Sequence, residues 1–210
     1  MRASDGILSE QFDSLEQQEQ TATLGMWVFL ATEILFFGGL FLAYTVCRTT
    51  YPHEFAIASH HANVLLGTIN TGVLLTSSFF MALAVQSAKL GKNRAVFGFL
   101  VATILLAFAF LALKGLEYSE HISDHLWPGR FFYPTLSPRV ELFFWLYFVM
   151  TGLHALHVFI GICVLSVIAL MSLAGKFSTQ YSNPVEVSGL YWHFVDIVWV
   201  FLYPLFYLIK

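Results

Sequence analysis

His154 and His157 stand three residues apart, a spacing that puts two imidazoles on one helix face, where together they can hold a metal ion. A six-coordinate haem needs axial ligands from opposite sides of its ring, and His193 would be the further donor. No third strong ligand set converges in the sequence, and histidine is common as hydrogen-bonding glue between membrane helices. The expectation is therefore buried hydrogen-bonding histidines. His193 and Asp196 are also three apart, and Trp192, Asp196 and Trp199 follow one face. An aspartate beside a histidine can orient a catalytic base, but no nucleophile accompanies this pair. Its expected use is to satisfy two polar groups and lock the last helix to its neighbours. Glu117, His121 and His125 are spaced by four, which resembles a carboxylate–imidazole metal site if a helix continues through them. Asp124 and Trp127-Pro128-Gly129 close by point instead to an interfacial loop where these groups are solvated, and the same reading is given to His53, His60 and His61.

Glu33 has two readings. It sits deep in an apolar run, where a charged carboxylate costs on the order of 2.5–3.5 kcal/mol on insertion scales. It is either a proton relay or partner contact, or a neutral acid hydrogen-bonded inside the bundle. Asn70 is a buried amide in need of a partner, and Thr68, Gly72 and Thr76 form a small-residue stripe that would let another helix approach closely. Cys47 and Cys163 are isolated, with no CxxC or CxxCH, so neither a cysteine-built zinc site nor covalently attached c-type haem is expected.

The elements that must carry these groups are membrane helices. Hydrophobic residues make up 58% of the 210, charged residues only 11%, and the mean hydropathy is +0.72. A soluble domain carries about 25% charged residues, so a cytosolic enzyme, a disordered chain and a disulfide-stapled secreted fold are all excluded. The net charge of −3, with no basic cluster beyond Lys89, Lys92 and Arg94, leaves no footprint for nucleic acid. About twenty apolar residues cross a bilayer as a helix, and five segments qualify: 24–47, 64–87, 94–116, 138–174 and 184–209, after a polar segment 1–23. The alternating strands of a β-barrel do not occur. The expected fold is all-α, an integral membrane bundle of five transmembrane helices.

Ser137-Pro138 and Asn183-Pro184 read as a capping residue followed by proline at the first helical position, the second with Glu186 as in a capping box. The fourth helix then measures on the order of 55 Å and must tilt or project into water. The polar, acidic N-terminus has no basic region leading into an apolar stretch, so a cleaved signal is not expected. The compact Lys89–Arg94 turn, on the side that also holds Arg2 and Lys176, places the N-terminus in the cytoplasm; Arg48, Arg130, Arg139 and Lys210 lie on the other side. Internal repeats are missing, and past the helix starts only Pro204 interrupts the spans, against the pattern of a solute or proton transporter.

Taken in order, the polar landmarks resemble subunit III of the haem–copper terminal oxidases. Gly25-Met26-Trp27 through Ala31-Thr32-Glu33-Ile34-Leu35-Phe36-Phe37 is similar to that family's glutamate-bearing helix. Asn70-Thr71-Gly72 through Thr76-Ser77-Ser78, the Leu116-Glu117-Tyr118 helix end and Thr151-Gly152-Leu153-His154-Ala155-Leu156-His157 resemble its next landmarks. Tyr191-Trp192-His193-Phe194-Val195-Asp196-Ile197-Val198-Trp199 matches its most specific signature. Longer members have seven spans, and this chain resembles the short form, in which the lipid cleft built by the two extra helices is in question. The resemblance implies a non-catalytic accessory subunit with no haem, copper or other metal of its own and phospholipid as a possible ligand. Haem and copper belong to partner subunits I and II, and electrons come indirectly from cytochrome c or quinol in a bacterial inner membrane. The alternatives within the family are a ubiquinol oxidase and a nitric-oxide-reductase-associated homologue; outside it, a membrane haem or metal protein and a proton transporter centred on Glu33.

Overall fold

The computed structural model describes residues 11–60, 62–129, 132, 138–179 and 181–208. Helices α1 (Leu15–Thr50), α3 (Val64–Lys89), α4 (Asn93–Ser123), α5 (Pro138–Leu173) and α6 (Asn183–Tyr203) are each long and apolar enough to cross a membrane; α2 (Pro52–Ser59) is a short strap between α1 and α3. Among the described residues there is no β-strand, and one isolated bridge joins Ser178 and Tyr181. Residues 1–10, His61, Arg130, Ser137 and Lys210, to which the sequence assigned charge, capping or solvated roles, lie outside the described residues.

The helices are longer than the apolar runs because their ends leave the hydrocarbon. Helix α1 starts at Leu15, where Ser14 Oγ accepts the N–H of Gln17 at 3.2 Å and the Gln17 amide oxygen accepts the N–H of Asp13 at 3.0 Å. Its first turns are polar and suit water. Asn63 caps α3 by accepting from Leu66 N–H at 3.2 Å. At α6 the cap differs from the expectation: Asn183 is already helical, Ser182 precedes it, and Glu186 accepts from the Ser182 hydroxyl at 2.6 Å while pairing with Lys89 at 3.0 Å. Gly91 and Gly175 end α3 and α5 with left-handed φ of 66° and 69°, the conformation that a closing helix turn requires. On the strap, Glu54 is held below the usual carboxylate range by its own backbone N–H and by Arg139, 3.2 Å away on α5.

Helices α3, α4, α5 and α6 pack as a four-helix bundle, with α1 laid along α5 and α6. Its buried stripe on α3 is Gly67, Asn70, Leu74, Ser77 and Met81. The stripe expected at Thr68, Gly72 and Thr76 lies on the opposite face of α3, exposed on this chain apart from the 2.7 Å contact of Thr68 Oγ1 with the Tyr203 hydroxyl of α6. Two tryptophans of α6 close the α3 contact: Trp192 donates to Ser77 Oγ and Trp199 to Thr71 Oγ1, each at 3.1 Å. After α6, Pro204 offers no N–H to continue the α ladder, and a π-helical turn (Pro204–Leu208) carries Phe206 and Tyr207 into the core. The Tyr207 ring lies so close to Gly67 that an added Cβ would sit 2.7 Å from its Cδ1.

Gly67→Ala should therefore destabilise the protein by about 1–3 kcal/mol through overpacking. Gly72→Ala meets nothing within 4 Å and should leave stability unchanged or raise it by up to about 1 kcal/mol through helix propensity. Thermal unfolding of the two variants in the purified complex checks the contrast.

Candidate functional site

The helix α4 face Phe110, Lys114, Glu117, His121 repeats at four and three, and all four residues are buried. This corrects the solvated reading of Glu117 and His121: α4 runs on to Ser123, and Lys114 and Glu117 are only 3% and 1% exposed. A buried ammonium has three protons to place. Lys114 Nζ donates to Glu117 Oε2 at 2.9 Å, Tyr147 Oη at 3.0 Å and Tyr207 Oη at 2.9 Å. The Tyr207 hydroxyl in turn donates to Glu117 Oε1 at 2.6 Å. Above the ammonium stand the rings of Tyr147 at 4.9 Å and Trp199 at 5.2 Å, whose faces attract a cation. His121 Nε2 is 3.9 Å from Glu117 Oε1, too long for a hydrogen bond. His125 leaves this face: the helix has ended, its φ is 56°, and it is exposed. His53 and His60 are exposed as well.

The two histidines of α5 share a face yet point to different helices. His154 Nε2 lies 3.1 Å from the Val195 carbonyl on α6. His157 places Nδ1 2.8 Å from its own helix's Leu153 carbonyl and Nε2 3.2 Å from Glu33 Oε2 on α1. A carbonyl only accepts, so Nδ1 of His157 carries a proton. The contact is then either imidazolium with carboxylate or neutral imidazole with carboxylic acid, one proton being shared between the partners. His193 Nδ1 meets the Ser78 hydroxyl on α3 at 2.7 Å. Asn70 and Asp196 are buried without a hydrogen-bond partner among the described residues. Those residues contain no group of three or more His, Cys, Asp or Glu side chains placed to hold a metal ion. What the arrangement does is join helices: α1 to α5, α3 to α6, α5 to α6, and α4 to both α5 and the π-helical turn.

The sequence missed Lys114 as a member of the buried set. Its signal was present, a lysine and a glutamate three apart with an apolar face continuing through both. An apolar groove of about 400 Å³ runs between α1 and α6, walled by Trp27, Ile34, Phe41, Phe194 and Phe201, with His193 at its edge. Toward the Lys89–Glu186 pair it adjoins a more polar cavity of about 330 Å³ that shares Leu190 and His193.

Removing one partner of the buried pair strands the other. Lys114→Met is expected to cost about 3–5 kcal/mol. Lys114→Met combined with Glu117→Gln should recover most of that loss, a coupling measured by a double-mutant cycle on thermal stability; losses that simply add would show the two side chains to be independent.

Comparison with known proteins places this architecture. The family model for cytochrome c oxidase subunit III matches residues 14–210. Cytochrome c oxidase subunit 3 of Thermostichus vulcanus is 32% identical over 198 residues, which cover 94% of this chain and 92% of that protein. The protein of the same name from Oncorhynchus mykiss is 32% identical over 192 residues, 87% of this chain but 67% of that longer one. The Heme-copper oxidase subunit I+III of Aeropyrum pernix is 30% identical over 192 residues, 22% of its length. The chain, five apolar membrane helices tied together by buried polar pairs, belongs to the cytochrome c oxidase subunit III family.

Proposed function

We propose that the chain is the non-catalytic accessory subunit III of a haem–copper terminal oxidase of the cytochrome c type, seated in a bacterial inner membrane with its N-terminus in the cytoplasm. It packs against subunits I and II, which hold the haem and copper and take electrons from cytochrome c, and it sustains the proton uptake of subunit I. The observation that carries this reading is the family match along residues 14–210, joined to polar side chains that are spent on helix contacts instead of converging on a ligand. The fused relative, named for subunits I and III together, supports subunit I as the immediate neighbour. Glu33, Glu117, His154, His157 and His193 serve here as interhelical groups, and Asn70 and Asp196 as buried polar members of the same helix contacts, with no catalytic or metal-binding part. Phospholipid fits the α1–α6 groove: the walls take an acyl chain, and Lys89 and Glu186 stand at the polar end for a headgroup. The groove lies within the five helices, so it does not need the two extra spans of longer relatives.

Gentle extraction through a tag on this chain should bring down subunits I and II, with the haem spectrum following subunit I when this chain is stripped away. The stripped enzyme should start at its normal rate and then lose activity during turnover, with proton uptake failing first. A Soret band in the isolated chain, or a chain that purifies alone and is fully competent, would overturn the reading.

A further inference from the structure

The Glu33–His157 pair is closed on one side only. His157 Nε2 meets Glu33 Oε2 at 3.2 Å, while Oε1 has no partner among the described residues and is not one of the enclosed polar atoms. The two side chains, Glu33 18% and His157 13% exposed, reach the outer surface that α1 and α5 share. Within one turn of them Phe29 and Phe36 of α1 and Leu156 and Ile160 of α5 are exposed as well. The apolar groove lies on the other flank of α1, against α6, and Glu33 does not line it.

Depth limits what can meet Oε1. Glu33 stands nine residues past Leu24, about 14 Å along the helix from the start of the apolar run. The hydrocarbon core is about 30 Å thick, so the carboxyl group is near its middle. Acyl chains offer no hydrogen bond there, and lipid headgroups stay at the edges. Whichever partner holds the shared proton, Oε1 accepts: it belongs either to a carboxylate or to the carbonyl of a carboxylic acid. A donor for it has to come from a second polypeptide. The pair is neutral overall in both forms, so a cationic donor would carry an unmatched charge into hydrocarbon. A hydroxyl, indole or amide N–H fits.

Helix α1 is also the least enclosed of the five membrane helices. Three of its 36 residues are buried, Leu30, Phe37 and Tyr44, whereas the 21-residue α6 buries eleven. On its outer side Gly25, Thr32 and Gly39 repeat every seven residues, and a Cβ added at either glycine meets nothing within 4 Å. Glycine weakens a helix, and no close contact inside this chain calls for these two. A second helix packing tightly from outside does.

We propose that the α1–α5 face around Glu33 and His157 is the docking surface for a transmembrane helix of subunit I, which donates a hydroxyl, indole or amide proton to Glu33 Oε1. This contact presupposes the association with subunit I proposed above and fixes the face that makes it.

A photoreactive amino acid placed singly at Phe36 or Ile160 tests the contact in the intact complex in its membrane. Phe79 of α3 and Leu105 of α4, exposed on other helices, are the control positions. Irradiation should join this chain to subunit I from Phe36 and Ile160 at several times the yield from the controls. A yield no higher than theirs, or labelling of phospholipid alone from Phe36 and Ile160, overturns the proposal. If subunit I co-purifies but cross-links only from Phe79 or Leu105, this face is wrong and the accessory-subunit reading stands. A chain that brings down no subunit I removes both. A map of the complex gives a second measurement: a donor atom of subunit I is expected within about 3.2 Å of Glu33 Oε1. An acyl chain lying against that oxygen would sink the contact.

Discussion

Hydrocarbon offers no hydrogen bonds, so every polar side chain in this protein has to be paired inside it or pulled to its surface. That constraint decides the architecture more than apolar attraction does, because lipid tails are as apolar as leucine and do not drive helices together. The contacts that hold helix to helix are accordingly polar or close-fitting. Trp192 and Trp199 donate to hydroxyls on α3, Tyr118 and Thr151 share a hydrogen bond 2.5 Å long between α4 and α5, and the Tyr44 hydroxyl donates to the Leu205 carbonyl. Aromatic rings fill the space between these bonds, as where Phe110 meets Trp199 edge-on.

The same constraint explains what could be read from the sequence. Span number and type were legible because length and hydropathy alone determine whether a helix crosses a bilayer. Which face of each helix turns inward was not, since a lipid-facing leucine and a core leucine are the same residue. The α3 stripe shows this: Thr68, Gly72 and Thr76 and the buried Gly67, Asn70, Leu74 and Ser77 overlap in composition although they lie on opposite faces of the helix. Helix ends were legible where a proline or capping side chain marked them, and missed where a helix runs on past its apolar stretch. The span expected over 94–116 belongs to a helix that continues to Ser123, its buried Lys114 satisfied by Glu117 and two tyrosines.

For the site, the residues were legible and their pairings were not. Spacing of three puts His154 and His157 on one face, but a ring nitrogen reaches several ångströms to either side of it. One histidine turns to α6 and the other to α1. Only the relative rotation of three helices makes that choice, and no local pattern encodes it. The family signature in α6 drew attention to His193 and Asp196 without saying that the first reaches across to Ser78 on α3.

The placement of Lys114 and Glu117 on one helix bears on how such a chain enters the bilayer during synthesis. Tyr207 lies 93 residues further along the chain than Lys114, so the ammonium must leave the translocon long before that phenol has been made. Lone charges there would each cost about 2.5–3.5 kcal/mol. A carboxylate one turn away cancels the charge within the nascent segment itself, so the helix can partition as a near-neutral unit and wait for its tyrosines to arrive.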